Sequence, residues 1–455
     1  MLTSDHPAPA GYVTDIPYLR GFKPMLAPAW LDLVALIGGV RPPVREEGFA
    51  WCDLGCGHGV TAAVLAATHP AGEFHGIDAM PVHIEFAAGL TAEADAPNAR
   101  FLAADFAAAL DRPLPRFDYI VAHGVYSWVD ASRRAQLRRF VDRRLGSGGL
   151  VYVSYNALPG WTGDLPFQHL ARALAETASG DSAARFGHAA RLIDRLALAG
   201  APPLASSHTV RELRDKPFAY PLGYLVHEFL HAGWQALYVT EVRRDMAEIG
   251  LRPVGSAYLA ENFDGWVLRR RARRLLAEIA DPDLRELARD FCLDQRFRAD
   301  VFSRDAPPID PTEQRRRLFA AGLALTRPAG GVAFRTPTPA GHLDFDNPAA
   351  RAIVAALAAG PRRLGGIAAA GVEARDLLAN ALALCAAGSV RPVETGQVPV
   401  ATLNRALRRH LRDPDDPQLI ALPCGTALEL DGHLLDLLTS GRDPAWRDFL
   451  AAQGV

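Results

Sequence analysis

Phe49-Ala-Trp-Cys-Asp-Leu-Gly-Cys-Gly-His-Gly-Val60, FAWCDLGCGHGV, decides the fold. An apolar run carries Asp53 near its end. Gly55, Cys56, Gly57, His58 and Gly59 then form a glycine-rich turn, and Val60 opens an alanine-rich stretch. The pattern is strand, turn, helix. Glycine belongs where the backbone takes positive φ or must approach a ligand closely, because a side chain would clash there. The spacing is G-x-G-x-G, whereas a dinucleotide site more often shows G-x-G-x-x-G to seat a pyrophosphate on the helix N-terminus. No pyrophosphate is provided for.

Two further apolar runs also end in carboxylates. Glu73–Asp78 reads as a second strand, its terminal Asp78 placed to accept from both hydroxyls of a ribose. Ala99–Asp105 reads as a third, with Asp105 placed to accept from an adenine amino group. In open α/β sheets ligands bind beyond the carboxyl ends of the strands, where Asp53, Asp78 and Asp105 all lie. Any one of them could instead cap a helix N-terminus. Three together fit a zwitterionic adenosyl ligand better than an anionic one, which makes S-adenosylmethionine the expected cofactor.

Upstream, Gly11–Pro28 carries prolines at 17, 24 and 28, so it reads as an extended arm bearing Tyr12, Tyr18 and Phe22. It either folds over the cofactor mouth or packs on the domain edge. Ala29–Gly38 is helical by its apolar spacing and ends at Gly38-Gly39. The chain has 455 residues, about half of them hydrophobic, enough core for two or three domains. A net charge of -2 argues against a nucleic-acid partner. The five cysteines lack metal-ligand spacing. With neither a signal peptide nor a membrane-length apolar run, a cytoplasmic location is expected.

Downstream, Phe117–His123 reads as strand four and Leu150–Tyr155 as strand five, entered through a turn at 146–149. Aromatic residues just past a strand's carboxyl end face the ligand crevice. Tyr126 and Trp128 after strand four, and Tyr155, Asn156 and Trp161 at the end of strand five, are therefore candidates for the acceptor side, with Tyr126 and Asn156 holding the acceptor by hydrogen bonds. Tyr126 and Trp128 could instead plug the next helix. His123 is expected at the cofactor, and a hydroxyl acceptor would call on His123 or His227 as base.

The segments HGVYSWV at 123–129 and SYNALPGW at 154–161 resemble signature stretches of bacterial class I methyltransferases that carry a methyltransferase regulatory domain. The likeness continues in HEFL at 227–230, GLRPVGSAYLAE at 250–261, DFCLDQRFR at 290–298 and TALELDGHLLDLLTSGRD near the end. The resemblance implies an S-adenosylmethionine-binding Rossmann-like sheet within a three-part architecture. It also implies, for some members, transfer to protein lysines. A small-molecule O- or N-methyltransferase, or a non-catalytic adaptor that binds the same cofactor, stays open.

Beyond Trp161 the pattern is helical at Leu165–Ser179 and Ser182–Leu198. His227-Glu-Phe-Leu-His231 matches the zinc-protease H-E-x-x-H pattern, but no third ligand is evident, so no metal is expected, and His227 and Glu228 are assigned a substrate-facing or inter-helix hydrogen-bonding role. Leu251–Ala257 and Arg296–Phe302 read as strands six and seven around a helical insertion from Val267 to Cys292. Asp305–Pro311 is a linker by composition. After it, helices at Pro348–Ala359 and Glu373–Ala387 and a strand or wing at Val390–Val393 suggest a winged-helix-like α+β unit. Asn404–Arg412 is a basic helix fit for a protein contact or a homodimer. The expected divisions are 1–30 for the arm, 31–164 for the cofactor core, 165–237 for a helical regulatory region, 238–304 for completion of the sheet, and 305–455 for the C-terminal unit.

Overall fold

The computed structural model describes residues 13, 15–16, 20–205, 207–216, 220–367, 371–413, 416–430 and 443–455. Tyr12, Tyr18 and most of the C-terminal stretch that resembles the family's tail lie outside them.

Seven strands form the central sheet: β1 (Phe49–Leu54), β2 (Gly72–Asp78), β3 (Ala99–Ala103), β4 (Phe117–Ala122), β5 (Leu145–Asn156), β6 (Leu251–Ser256) and β7 (Phe297–Arg304). Their order is β3-β2-β1-β4-β5-β7-β6, with β7 antiparallel to both neighbours and β1 to β5 parallel. Parallel strands covered on both faces are apolar throughout, and β1 is buried along its whole length. Its side chains alternate: Phe49 and Trp51 join one apolar layer, Ala50, Cys52 and Leu54 the other. α1 (Pro28–Ile37), α2 (Val60–Thr68) and α3 (Pro81–Glu93) cover the first face. α4 (Phe106–Leu110), α5 (Ala131–Arg144) and α11 (Val239–Ala247) cover the second. The chain crosses from one face to the other between β1 and β4, which opens a crevice at the carboxyl ends of these strands.

The expected turn at 146–149 is instead part of β5, where a register shift against β4 between Phe117 and Tyr119 absorbs the glycines.

Between β5 and β6 the chain inserts α6 (Leu165–Thr177), α7 (Ser182–Leu198), α8 (Pro202–Ala205), α9 (His208–Asp215) and α10 (Leu222–Leu230) ahead of α11. These helices have a core of their own, built on Phe167, Phe186, Ile193, Val226 and Phe229, into which Trp128 and Trp161 reach from the sheet. A second insertion, α12 (Asp264–Val267), α13 (Arg270–Leu276) and α14 (Pro282–Leu293), joins β6 to β7. Asp281 caps α14 and Pro282 opens it, while Asp294 closes it in the left-handed region.

After β7 come α15 (Pro311–Ala320), β8 (Gly322–Leu325), the hairpin β9 (Arg335–Thr338) and β10 (Gly341–Asp344), α16 (Pro348–Leu357), β11 (Arg362–Arg363), α17 (Ala374–Ala386) and β12 (Val390–Val393). The strands order β11-β8-β12, all antiparallel, giving the expected winged-helix-like unit with β8 as its central strand. Val390–Val393 is thus an edge strand paired antiparallel to β8, the strand alternative of the two expected for it. α18 (Ala401–His410) and the hairpin β13 (Gln418–Leu422) and β14 (Thr426–Leu430) follow.

The basic helix is α18, and it is committed within the chain. Its buried Asn404 exchanges two hydrogen bonds with the Ala421 backbone. His410 and Arg409 reach Glu93 of α3 at 3.3 and 3.6 Å. The stretch 305–311, a linker by composition, is pinned by backbone hydrogen bonds between Arg41 and Pro307 and between Ile309 and Gly39. Among the described residues no helix is long and apolar enough to cross a membrane.

Candidate active site

The glycine turn rests on β2: the Gly55 and Cys56 amides donate to the Ile77 carbonyl. Gly55, Gly57 and Gly59 all have positive φ, at 81°, 51° and 64°. They serve different ends. A Cβ on Gly55 would collide with Val125, and one on Gly59 with Ala87 and Phe101, so these two permit close packing of the turn. Nothing lies within 4 Å of a Cβ placed on Gly57, which faces an open cleft.

That cleft holds about 910 Å³ of empty space and is lined by Gly55, Gly57, Asp78, Met80, His83, Asp105, Phe106, His123, Val125 and Trp128 among others. Asp78 accepts from the amides of Gly57 and Met80, each at 2.9 Å, and its Oδ1 lies 3.1 Å from His83 Nδ1. These contacts fix the carboxylate at the rim. Asp105 does cap α4, accepting from the Ala108 amide at 2.7 Å, and it also lines the cleft, so the two expectations for it coexist.

Asp53 lies beneath the turn, 5 % exposed, and its Oδ1 has no hydrogen-bond partner among the described residues. Burial, reinforced by the Asp78 carboxylate, pushes it up to about 8. An orphaned buried carboxylate oxygen under a glycine turn fits a cationic ligand, such as the ammonium or sulfonium of S-adenosylmethionine. The cleft therefore suits this cofactor: Gly57 for close approach and Asp78 and Asp105 for the adenosyl end, with Asp53 beneath the turn and off the cleft wall.

His123 lines the cleft at the end of β4, its Nδ1 2.9 Å from the Tyr152 hydroxyl and 3.2 Å from Ser154 Oγ. Burial, with a contribution from Lys23, drives it down to about 3, so the ring is neutral. Burial likewise lowers His227, and takes His231, on the cleft wall, to about 4.

A second cavity opens beyond the end of β5. Asn156, Trp161, Tyr220, Tyr224, Phe229 and Phe297 line it, with Glu212 and Arg296. Arg296 stacks on Trp161 with its guanidinium carbon 4.5 Å from the ring centre, and its charge is met by buried Asp164 at 2.5 Å. Phe297 of this cavity meets His123 of the cleft ring to ring, so the two spaces are neighbours. Between them lies Glu228, 3 % exposed and pushed up to about 7 by burial.

Of the residues expected on the acceptor side, Trp128 lines the cleft, and Asn156 and Trp161 line the second cavity. Three sit elsewhere. Tyr126 is fully buried against α5 and α11, donating to Asp245 and accepting from Arg138, because the chain turns inward after Gly124. The Tyr155 hydroxyl donates at 2.7 Å to Asp300, inside a buried cluster of Arg298, Asp290 and Asp300. His227 is stacked on Trp128 and bonds the Ile16 carbonyl at 2.9 Å, so it lines neither space. In HEFLH, His227 and His231 serve different partners, the latter accepting from the Gly233 amide. Among the described residues no group of His, Cys, Asp and Glu is placed to hold a metal. Tyr220 and Tyr224 lie in the aromatic-rich run 217–231, but neither they nor Phe297 stood out as site residues, because they converge only through the insertion's tertiary packing.

The strand order, with an antiparallel seventh strand inside the edge, and the adenosyl-fitting cleft define a class I S-adenosylmethionine-dependent methyltransferase. The methyltransferase-domain family model matches residues 52–151, and the predicted methyltransferase regulatory domain matches 222–304. The Synechocystis protein sll1526 is 32 % identical over 355 residues, covering 78 % of this chain and 70 % of that one. RP028 of Rickettsia prowazekii is 34 % identical over 134 residues, covering 30 % of this chain and 53 % of that one. Among solved structures, PKMT2 from Rickettsia typhi in complex with AdoHcy superposes with a TM-score of 0.70 at 22 % identity, covering 92 % of this chain and 87 % of that one. The chain belongs to the family of class I methyltransferases that carry a methyltransferase regulatory domain.

Proposed function

We propose that the methyl group is transferred directly, in line, to an amine, and that the amine is a lysine side chain of a protein. When bound, S-adenosylmethionine supplies a methyl group already activated by its sulfonium. The chain's residues need then only orient a neutral acceptor and exclude water, and orientation alone contributes roughly 7–11 kcal/mol in favourable systems. The carrying observation is the lack of a free base at the cleft among the described residues: His123 and His231 are shifted down by burial, and the Glu228 carboxylate is bonded to Asn156, Trp234 and Trp128, which suits them poorly to take a proton from a hydroxyl. An amine needs no such base. Its pKa falls on burial, its proton leaves to solvent before attack, and its lone pair is then available.

The second cavity supports the same reading. Aromatic walls and Glu212 favour an alkyl chain ending in a cation. Lysine in particular rests on the family resemblance and on the likeness in fold to Rickettsia typhi PKMT2.

The test is incubation of the protein with methyl-tritiated cofactor and cell protein, followed by acid hydrolysis. The expected result is label recovered as methyl-lysine. Label released by mild base as methanol, or found only in small molecules, would overturn the lysine reading.

A further inference from the structure

We propose that Glu228 of α10 is a positioning residue: it turns the Asn156 amide so that the carbonyl oxygen faces the second cavity and accepts an N–H of the acceptor amine. This rests on the amine reading above.

An asparagine amide presents two donors at one end and an acceptor at the other. Glu228 Oε1 already accepts from the Trp234 indole and so presents a lone pair; the NH₂ faces it, Asn156 Nδ2 donating at 2.5 Å. The same Oε1 accepts from the Trp234 indole at 2.9 Å, and the Trp128 indole also hydrogen-bonds this carboxylate. The main chain of Asn156 is held as well, its amide donating to Ser127 Oγ at 2.8 Å and its carbonyl accepting from Leu237. With one end tied, Oδ1 is directed away from Glu228. No donor among the described residues reaches it, and it is not among the sealed, unsatisfied polar atoms, so it is open to the cavity that Asn156 lines.

Reversed, the amide would present N–H groups to an incoming ammonium and reject it. As found, it offers the acceptor that an amine requires, beside the rings of Trp161 and Phe297. Trp128 stands on the cofactor side and Asn156 on the acceptor side of the same carboxylate. One residue of the helical insertion thus holds a wall of each space.

The test is calorimetric titration of n-butylammonium, with n-butanol as control, into protein saturated with S-adenosylhomocysteine. Wild type is expected to bind the ammonium and not the alcohol. Glu228→Gln keeps an acceptor for the Asn156 NH₂, so it should stay within about threefold of wild type, while Glu228→Leu and Asn156→Ala lose tenfold or more. Circular dichroism shows that all three are folded, and each is titrated at an S-adenosylhomocysteine concentration that saturates it. Should Glu228→Leu fail to fold, Asn156→Ala carries the comparison.

Wild-type binding with Glu228→Leu or Asn156→Ala unchanged would overturn the positioning role and leave the amine reading standing. So would a Glu228→Gln loss as large as that of Glu228→Leu, since charge and not orientation would then matter. No ammonium binding by wild type would overturn the amine reading itself and the proposal with it.

Discussion

Single residues in the cofactor cleft divide by what each supplies. Gly57 is the one turn glycine whose missing side chain leaves room for ligand. Gly57→Ala should cost about 1 kcal/mol of stability for its positive φ, yet lower S-adenosylhomocysteine affinity at least tenfold, as read by thermal melting and calorimetry. Asp53 makes a pH prediction. Its folded pKa is raised to about 8, against about 4 unfolded, so its contribution favours folding in acid and turns into a penalty as pH rises through that window. Asp53→Asn removes the titration. Urea unfolding should therefore show the variant gaining on ligand-free wild type from pH 5 to pH 8.5, and a difference independent of pH would count against the burial argument. The residues of the turn were legible in sequence because glycine and strand-end aspartate carry their chemistry locally. Asp53's lack of a partner was not, since it depends on everything packed around it.

Elements explain why some aromatic assignments failed. Strand ends were readable, but the direction a side chain takes after a strand depends on which helix meets it. Tyr126 follows Gly124, whose φ is positive at 68°, and the chain there turns its ring into the layer between α5 and α11. Tyr155 belongs to the β5 face that meets Asp300 of β7, the register neighbour of Val153. Both tyrosines should be structural. Tyr126→Phe and Tyr155→Phe are each expected to cost about 1–2 kcal/mol in stability, with kcat/KM within about twofold of wild type. Asp300→Ala removes one of three carboxylates that meet the buried Arg298 guanidinium, leaving Asp290 and Glu286, and should cost about 1.5–3 kcal/mol. A tyrosine variant that melts normally but loses turnover would restore that residue to the acceptor site.

At the scale of the molecule, one apolar cluster runs from Trp51, Phe74 and Tyr119 of the sheet to Leu323, Leu384 and Leu428 of the C-terminal unit. Composition suggested a linker between the two, but composition reports local flexibility and not what the segment packs against. Arg45 joins them: it bonds Asp32 of α1 at 2.9 Å and Glu394 after β12 at 2.5 Å, and Asp32 in turn accepts from Tyr119 of β4 at 2.6 Å. Arg45→Ala should cost about 3–5 kcal/mol, and calorimetry should still show a single unfolding transition. Two separated transitions would mean that the units are energetically independent. The account as a whole stands on the adenosyl cofactor in the cleft between the glycine turn and Asp78. Its most direct test is calorimetric titration of wild type and Asp78→Ala with S-adenosylmethionine, S-adenosylhomocysteine and NAD. Wild type should bind both adenosyl ligands in the micromolar range and not NAD, and Asp78→Ala should lose about 100-fold, near 2.7 kcal/mol. Binding of NAD, or undiminished binding by Asp78→Ala, would contradict it.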